Sequence, residues 1–388
     1  MRLFVFYVPN LRFNEDCDDW KLIRINSLLK FQNGINASPE KYGKGIKYIS
    51  VSDILNNKFI TNKNIKGLID IDEKTFKNFE VSYGDILFQR SSETIEDIGR
   101  TNVYLDENTN STFGGFVIRG KKIGNYNPIF FKYLLDSPTA RKSIIRMGAG
   151  AQHYNISQEG LDKIKLHFPN DLIQEKIANL FMLIDNCIET QNKIINKLES
   201  LICSLRSDIF SKYDWKWQSL DSFINNGTIT LKRGNVIPKH EKNEEYKFPV
   251  YSSSIHNNGL MGFNNSYMFD KELITWSVDG GGNFFYRSKH KFNVTNVCGI
   301  MEVKDNIFNY RFLSEILSAQ HSKMIFDYQT KAHPSVIEKL YKLPIVEIKT
   351  QEKIALIFEL YYQKLEKEKD ILSLYKKQKA YLLQNMFI

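Results

Sequence analysis

The chain is poor in cysteine and proline and has no long apolar run. Its 388 residues include nine prolines and four cysteines, Cys17, Cys187, Cys203 and Cys298. The cysteines form no Cys-x-x-Cys pair, which argues against a zinc site of that type and against a disulfide framework. No stretch of about 18 apolar residues occurs, and the apolar run near the start is too short for a secretion signal. We therefore expect a cytoplasmic protein with reduced thiols.

The motifs of several enzyme classes are also missing. The chain has no GxxxxGK[ST] phosphate loop, no GxSxG elbow and no HExxH zinc pair. It has no Pro-Pro dipeptide, and therefore no [DNS]-P-P-[YFW] methyltransferase motif. The histidines show no i, i+4 pairing that would suit a metal. We expect no catalytic residue, no metal site and no cofactor in this chain.

Basic side chains outnumber acidic ones, because the chain has 53 Lys and Arg against 44 Asp and Glu. Residues 171–211 carry four basic and six acidic side chains, and residues 350–388 carry seven and five. The net charges of these two segments cancel, so the whole excess of positive charge lies in the rest of the chain. Such an excess favours a polyanion as the partner of those regions.

Two parts of the chain repeat one design. The sequence QEKIA at residues 174–178 recurs at residues 351–355, and a Lys-Leu dipeptide precedes both copies at the same offset of 177. An Asp-Trp-Lys tripeptide begins each copy at an offset of 195. Matches in the same order with a shrinking offset indicate an internal repeat whose second copy has a shorter middle.

Both copies order their elements alike. Short β-like runs come first, such as residues 46–51 and 273–276, and turn signals separate them. A long segment with helical periodicity closes each copy. The pattern predicts an α+β fold with two mixed α/β domains in tandem, each followed by a long helix. The predicted division is 1–155 for the first domain, 156–212 for the region of the central helix, 213–332 for the second domain and 333–388 for the region of the C-terminal helix.

The two long segments carry apolar residues at heptad spacing. In the first, one row has members seven apart, namely Ile177, Ile184, Gln191, Leu198 and Leu205. We expect the second row of a coiled-coil seam three residues later, at Leu180, Cys187, Ile194 and Leu201. The last segment has a looser stripe through Ile354, Tyr361, Leu372 and Leu382. Because neither helix can bury its stripe alone, we expect them to pack on each other. A coiled coil that dimerises the protein is the alternative.

Several loop-like segments carry side chains that suit DNA. Gln and Arg read adenine and guanine edges and Ser contacts phosphate, so the run from Gln89 to Ser92 is expected on a loop facing DNA. The alternative for each such run is a solvated surface loop. The candidate DNA contacts are Gln89, Arg90, Ser91, Ser92, Arg100, Arg119, Lys121, Lys232, Arg233, Trp276, Asn283, Tyr286, Arg287, Lys289 and Lys291.

Several short motifs match one known family. They are residues 84–88 (GDILF), 156–157 (IS), 174–177 and 351–354 (both QEKI), 251–253 (YSS), 274–280 (ITWSVDG) and 295–299 (TNVCG). With these motifs the chain resembles, over its whole length, the specificity subunit of type I restriction-modification enzymes. One departure is the order Gln-Glu at each helix start, where the family has Glu-Gln.

The resemblance implies a fold and a set of partners. Such a subunit has two target-recognition domains, each reading one half of a bipartite, asymmetric site in double-stranded DNA. Its two long helices pair as an antiparallel coiled coil, which spaces the domains and binds two modification subunits. Those subunits use S-adenosylmethionine to methylate adenine N6 on a flipped base, and two restriction subunits use ATP and Mg²⁺ to translocate and cut DNA. This chain itself is then non-catalytic.

Two other classes of function are kept as alternatives. One is a self-sufficient nuclease–methyltransferase, which the missing motifs disfavour. The other is a coiled-coil scaffold or protein-interaction module without sequence-specific DNA readout. It predicts DNA affinity that is weak or that does not fall steeply with salt, as phosphate neutralisation requires.

Overall fold

The chain forms two compact units in the computed structural model, which describes residues 9–14, 19–150, 153–254, 256–279, 281–304, 307–324 and 331–388. The first unit is made of residues 1–191 together with 371–388, and the second of residues 192–370. Each unit therefore combines one globular region with parts of both long helices. The finer four-part division drawn from the repeat stays a prediction.

Among its described residues, the first unit contains eleven strands and five short α-helices. The strands are β1 (Lys21–Arg24), β2 (Leu29–Asn33), β3 (Tyr42–Ile49), β4 (Gly67–Ile69), β5 (Ile86–Gln89), β6 (Ser91–Ser92), β7 (Thr101–Val103), β8 (Thr112–Phe113), β9 (Val117–Lys122), β10 (Tyr154–Asn155) and β11 (Lys165–Phe168). The helices are α1 (Val51–Asn56), α2 (Glu73–Phe79), α3 (Pro128–Asp136), α4 (Pro138–Ile145) and α5 (Gln158–Asp162), and the long helix α6 (Asp171–Lys212) starts here.

The second unit repeats this order with fewer elements. Its strands are β12 (Trp217–Ser219), β13 (Ile229–Arg233), β14 (Phe248–Tyr251), β15 (Leu260–Asn264), β16 (Phe269–Asp270), β17 (Leu273–Ser277), β18 (Phe284–Arg287), β19 (Lys291–Val294), β20 (Cys298–Val303) and β21 (Lys342–Pro344). Its helices are α7 (Leu220–Asn225), α8 (Tyr310–His321) and α9 (Pro334–Leu340), followed by the long helix α10 (Ile348–Asn385).

Sheet topology confirms the repeat. The first unit has a four-stranded sheet in the order β2-β9-β5-β7, a second sheet β4-β3-β8 and a pair β1-β11. The second unit has the order β13-β20-β17-β18, a second sheet β15-β14-β19-β16 and a pair β12-β21. In each unit the second sheet contains one parallel pair, β3 with β8 and β14 with β19, while the first sheet is antiparallel throughout. The α+β architecture predicted from the sequence is therefore confirmed.

The core of the first unit is aromatic and joins both long helices to the globular region. The ring of Phe181 on α6 stacks on Tyr133 of α3, with centroids 4.8 Å apart, and on Phe387, 5.7 Å away. Trp20 meets Phe387 and Phe130 edge-on. Because these large rings are fully or almost fully buried, this region supplies much of the hydrophobic stabilisation of the unit.

The two long helices run antiparallel, as the contacts inside each unit show. In the first unit Asp185 near the start of α6 pairs with Lys379 near the end of α10 at 2.6 Å. In the second unit Arg206 near the end of α6 donates to the hydroxyl of Tyr362 in the first half of α10 at 2.9 Å. The intramolecular pairing expected from the sequence is confirmed.

The seam of α6 differs from the expected one in its second row. The first row holds: Ile177, Ile184 and Gln191 are buried, and Leu198 and Leu205 are half-buried. The second row lies four residues after the first instead of three, at Phe181, Ile188, Ile195 and Ile202. Ile195 is 7% exposed and Ile194 is 39% exposed, so the spacer role expected for Ile194 is wrong. Where two apolar residues are adjacent, as at Ile194-Ile195, the sequence fits a second row either three or four residues after the first. In the folded helix pair the later residue is the one that is buried.

The seam of α10 follows the same register as that of α6. Ile354 and Leu382 are buried, and Tyr361 and Leu372 are half-buried, at offsets of 177 from four seam positions of α6. The repeat therefore extends to individual layers of the seam. Within the described residues, no helix is both long enough and apolar enough to span a bilayer.

The QEKIA motif has a structural role at both helix starts. The side chain of Gln174 accepts a hydrogen bond from the backbone N–H of Asn127 at 3.0 Å and donates to the carbonyl of Pro169 at 3.1 Å. Gln351 likewise accepts from the N–H of Asn309 at 3.0 Å and donates to nearby backbone carbonyls. Because both glutamines are buried, each one satisfies polar groups that would otherwise cost free energy. The glutamine thus ties a long helix to the first turn of α3 or α8.

Candidate nucleic-acid interface

The two units contain the same tight turn, which connects β8 to β9 and β19 to β20. In the first turn the N–H of Val117 donates to the carbonyl of Gly114 at 2.9 Å, and in the second the N–H of Cys298 donates to Thr295 at 3.0 Å. The flanking strand supports both turns, because Gly114 N–H bonds to Ile49 and Thr295 N–H to Tyr251, at 3.0 and 2.9 Å. We call residues 114–117 the first tip and residues 295–298 the second tip.

A neighbouring strand end fixes each tip from the side. The N–H of Arg90, just after β5, donates to the carbonyl of Phe116 at 2.9 Å. In the second unit the N–H of Val278, just after β17, donates to Val297 at 3.0 Å. Register places Gln89 opposite Val117 and Ser277 opposite Cys298, so these two frames are equivalent residue by residue.

An arginine binds the carbonyl at each tip. Nη1 of Arg90 donates to the carbonyl of Gly115 at 3.3 Å, and Nε of Arg233 donates to the carbonyl of Asn296 at 2.7 Å. The two arginines come from different strands, since Arg90 follows β5 and Arg233 ends β13. The same contact is therefore built twice from non-equivalent positions.

Glycine is required where a third strand end passes each tip. A Cβ on Gly34 would lie 2.1 Å from the carbonyl oxygen of Gly114, and a Cβ on Gly234 would lie 2.1 Å from that of Val294. Both contacts involve backbone, which cannot move away as a flexible side chain can. This close approach lets the N–H of Gly34 donate to the carbonyl of Val117. The N–H of Gly234 donates in the same way to the carbonyl of Cys298.

The side chains at the tips differ. Phe116 is 70% exposed and stands beside a cleft of about 430 Å³ whose walls include Tyr42 and Tyr48. At the second tip Asn296 is exposed and Val297 half-buried. A constant backbone frame with different exposed side chains is suited to recognising two different sequences.

Among the candidate contacts of the first unit, two are buried rather than on a loop. Gln89 is the last residue of β5, and its Nε2 donates to the carbonyl of Ser91 at 2.9 Å. Arg119 lies inside β9 and bonds to Gln32 and to the carbonyl of Glu80. Burial lowers the pKa of the Arg119 guanidinium. The expected loop position is wrong for both, because β5 and β9 are the central strands of their sheet.

The other candidates of the first unit lie at the surface or near it. Ser91 and Ser92 form β6, and the hydroxyl of Ser91 bonds to Asn155. Arg100 pairs with Asp97 at 3.1 Å, and Lys121 is exposed. For these residues, as for Arg90, a DNA contact stays a prediction.

In the second unit Trp276 and Arg287 lie in the interior. The indole N–H of Trp276 donates to the carbonyl of Ala332 at 2.7 Å. The guanidinium of Arg287 lies 3.7 Å from the ring centre of Tyr251, and its Nε donates to the hydroxyl of Thr275 at 2.9 Å. Burial lowers the pKa of Arg287 to about 10. The exposed position expected of a DNA contact is wrong for both residues, although Trp276 does lie in the strand predicted from residues 273–276.

The remaining candidates of the second unit are partly or fully exposed. Lys289 and Lys291 are exposed, and Asn283 and Tyr286 are half-buried. The hydroxyl of Tyr286 bonds to Glu272, and burial raises its pKa. Lys232 pairs with Glu302, which leaves Arg233 as the exposed candidate placed at a tip.

Sequence reasoning missed three amide side chains near Arg90. Asn33, Asn155 and Gln158 line a cleft of about 280 Å³ together with Arg90. Amides and guanidinium groups are the side chains that read adenine and guanine edges. They are distant from each other in the sequence, so no motif signalled them.

The described residues contain no cluster of three or more His, Cys, Asp or Glu with the spacing of a metal site. The described cysteines do not form a site either: Cys187 and Cys203 are exposed on α6, and Cys298 is buried at the start of β20. Cys17 lies outside the described residues.

A family model for the type I restriction modification DNA specificity domain matches this chain twice, over residues 17–200 and 214–374. The chain is 37% identical over 141 residues to the N-terminus of a putative type I specificity subunit of Mycoplasma pneumoniae, covering 34% of this chain and 72% of that one. It is 33% identical over 130 residues to the MpnII specificity subunit of a type I restriction enzyme of the same organism, covering 32% and 38%. The alignments with the curated relatives span from about a third to four fifths of their length.

Solved structures share the fold over nearly the whole chain. The S subunit of a type I restriction-modification system from Mycoplasma genitalium superposes with a TM-score of 0.63 at 20% identity, covering 98% of this chain and 99% of that one. A chain from a study of complex assembly and conformational transition of the type I system superposes with a TM-score of 0.58 at 10% identity, covering 94% and 96%.

Proposed function

Because this chain belongs to the type I restriction modification DNA specificity family, we propose that it is the DNA-reading subunit of such a system. Each unit reads one half of a bipartite site in double-stranded DNA, and the paired helices set the gap between the halves. The observation that carries this proposal is the duplicated recognition frame, in which the same turn, held by the same backbone bonds, occurs once in each unit.

We propose that the modification subunits bind to the exposed faces of the long helices. Leu183 and Leu360 occupy positions 177 apart, as do Ile194 and Ile371, and all four are exposed. Members of one helix are eleven residues apart, which places them within about 20° on the same face. Two equivalent apolar faces fit two copies of one partner. If only one copy bound, the second face would stay exposed to water.

The chemistry of the complex is assigned to those partners. The modification subunits would bind S-adenosylmethionine and methylate adenine N6, and two restriction subunits would supply ATP- and Mg²⁺-dependent translocation and cleavage. The role of this chain is then to select the DNA site in the cytoplasm, without a catalytic step of its own.

The decisive experiment is co-expression with the neighbouring modification subunit, followed by sequencing for N6-methyladenine. We expect a bipartite motif methylated on both strands that disappears when this chain is omitted. A well-formed complex that methylates no motif would overturn the proposal and favour the scaffold alternative.

Partner binding is tested separately by charge substitutions on the helix faces. We expect Leu183→Glu and Leu360→Glu each to reduce the complex to one bound modification subunit, and the double variant to bind none, as measured by native mass spectrometry. Asn192→Glu is the matched control, because Asn192 is exposed about 180° around α6 from Leu183. Retention of two subunits by the double variant would place the docking surface elsewhere.

The spacing role is tested by lengthening both helices equally. A heptad inserted after Gln191 and another after Glu368 keeps the seam register and adds about 10 Å. We expect the gap to lengthen by about three base pairs while both half-sites stay the same. An unchanged gap would show that the helices do not set it.

A further inference from the structure

We propose that the side chains of the two tips determine base specificity, and that Arg90 and Arg233 are positioning residues that hold the tips. The first tip would read through Phe116, and the second through Asn296. This inference rests on the proposed function and adds to it the residues that make the two half-sites different.

The geometry of the tips favours readout over a merely structural turn. Four backbone hydrogen bonds hold each tip, and these bonds are equivalent in the two units. The glycines at positions 34 and 234 let backbone pass within contact distance of both. A tip held in this way does not have to be ordered when DNA binds, so its side chains contribute affinity at low entropic cost.

The contrast between frame and side chain supplies the second argument. The position of Phe116 is Val297 in the second tip, and the position of Asn296 is Gly115 in the first. Each tip therefore exposes its own side chain, at a different position of the same turn. An asymmetric DNA site requires this difference, because its two half-sites have different base sequences and the two tips share one backbone frame.

The chemistry of the two side chains indicates what each one recognises. A ring that is 70% exposed on a fixed turn suits contact with the C5-methyl group of thymine, the apolar feature of the major groove. The side chain of Asn296 is exposed, and its backbone carbonyl is held by Arg233. Its amide suits the N6 and N7 atoms of adenine. We therefore infer that the first tip reads a thymine and the second tip an adenine.

The arginine at each tip acts through the backbone carbonyl that it binds. Arg90 is half-buried and donates both its N–H and its Nη1 to the first tip. Loss of the guanidinium would loosen the tip and weaken base discrimination at one position. An arginine that contacted phosphate would instead lower affinity for all sequences and reduce the dependence of binding on salt.

The first experiment uses the complex of the full chain with its modification subunit and DNA duplexes carrying the methylated motif. We expect Phe116→Ala to relax the preference at one thymine and to weaken binding to the cognate duplex on the order of tenfold. Replacing that thymine by deoxyuridine should weaken DNA binding by the unmodified complex to a similar extent. It should not change DNA binding by the Phe116→Ala complex. Ile123→Ala is the control, since Ile123 is an exposed apolar residue of the same unit away from the tip.

The second experiment tests the other tip and the positioning role. Asn296→Ala should relax the preference for one adenine in the other half-site only. Arg90→Met should reduce discrimination at the position read by Phe116 without changing the salt dependence of binding, and Arg90→Lys should restore part of it. Thermal melting of each variant complex checks that the fold is retained.

The outcomes separate this inference from the proposed function. If the unmodified complex methylates a bipartite motif but Phe116→Ala and Asn296→Ala keep every base preference, the tips do not determine specificity and the proposed function stands. If the unmodified complex methylates no motif, the proposed function fails and this inference fails with it. A change in both half-sites from a single tip variant would also overturn the assignment of one tip to each half.

Discussion

In the first unit, Asp185 of α6 accepts a hydrogen bond from the hydroxyl of Tyr133 on α3 at 2.6 Å and pairs with Lys379 of α10. In the second unit the position 177 residues later is Tyr362 of α10, and the carboxylate belongs to Glu315 of α8. That carboxylate pairs with Arg206 of α6 at 2.8 Å. The same three-helix junction therefore places its negative charge on the long helix in one unit and on the short helix in the other.

The two junctions also differ in burial. The side chain of Glu315 is 2% exposed and that of Asp185 is 11% exposed. Burial by itself lowers the pKa of Arg206, but attraction to Glu315 and Tyr362 and the hydrogen bond to Glu315 together outweigh this effect, so that the pKa is raised. By contrast, the rings and aliphatic residues of the seam keep their positions, as with Phe181 and Phe358. We conclude that the apolar frame defines the architecture, and that polar groups vary provided each buried one has a partner.

The strongest test of the shared frame removes one equivalent ring from each unit. We expect Phe181→Ala and Phe358→Ala each to cost about 3–5 kcal/mol of unfolding free energy, because both rings are fully buried. Hydrogen exchange should show lost protection in the unit that contains the substitution. Leu183→Ala and Leu360→Ala are exposed controls on the same helices, and equal loss of protection in both units would show that they unfold as one.

The difference between the two junctions is tested by removing each carboxylate. We expect Glu315→Ala to cost about 3 kcal/mol, because the charge of Arg206 is left buried without a carboxylate to pair with. Asp185→Ala should cost about 1 kcal/mol, since the more exposed Lys379 can reach water. Urea unfolding of both variants measures the difference, and equal costs would contradict the role assigned to burial.

The glutamines at the two helix starts should have similar importance. Gln174→Ala and Gln351→Ala are each expected to cost about 2 kcal/mol, because a backbone N–H and a carbonyl lose their partners in a buried place. The neighbouring exposed residues provide controls in Glu175→Ala and Glu352→Ala. A loss confined to one of the two glutamines would break the equivalence of the helix starts.

Substitution of the two buried arginines, Arg119 and Arg287, should change the free energy of unfolding least. Arg119→Met should cost about 1 kcal/mol, because Gln32 and the carbonyl of Glu80 lose a donor. Arg287 donates a side-chain hydrogen bond to Thr275, but its Nη2 has no hydrogen-bond partner among the described residues. The cost of burying its charge therefore offsets that bond, and Arg287→Met should be about neutral. Thermal unfolding of both variants measures this.

The pH dependence of Arg287 follows from the same burial. Its folded-state pKa is lowered to about 10, below the value in the unfolded chain, so the unfolded state binds more protons above that pH. Relative to Arg287→Met, the unmodified chain should gain stability as pH rises through about 10. A flat difference would mean that the guanidinium has a partner in solution.

The repeat and the long helices could be predicted from the sequence, because heptad spacing and a five-residue identity are visible along one dimension. The second seam row could not, since doublets such as Leu201-Ile202 satisfy both registers and only packing distinguishes them. Trp276 and Arg287 are predicted as exposed DNA contacts because their polar atoms suggest the surface, even though residues 273–276 are predicted as a strand. Every residue of β17 is buried, so no alternation of polar and apolar residues marked the interior.

The tips show the limit of sequence reasoning more clearly. Residues 114–117 and 295–298 have no residue in common at equivalent positions, and the arginines that bind them come from different strands. Their equivalence lies in backbone hydrogen bonds, which have no signature in the sequence. Residues 295–299 match a family motif, TNVCG, but the motif by itself indicates no role for them.

The contribution of the end of α10 and the residues after it to the first unit has a consequence for how the protein is made. Leu382, Met386 and Phe387 belong to the core that surrounds Trp20 and Phe130. A ribosome synthesises these residues after the whole second unit, so the nascent first unit must wait with part of its aromatic core uncovered. The second unit, whose parts all lie between residues 192 and 370, can fold while the first is still incomplete. The second unit, although it is synthesised after most of the first, is then the first to complete its fold.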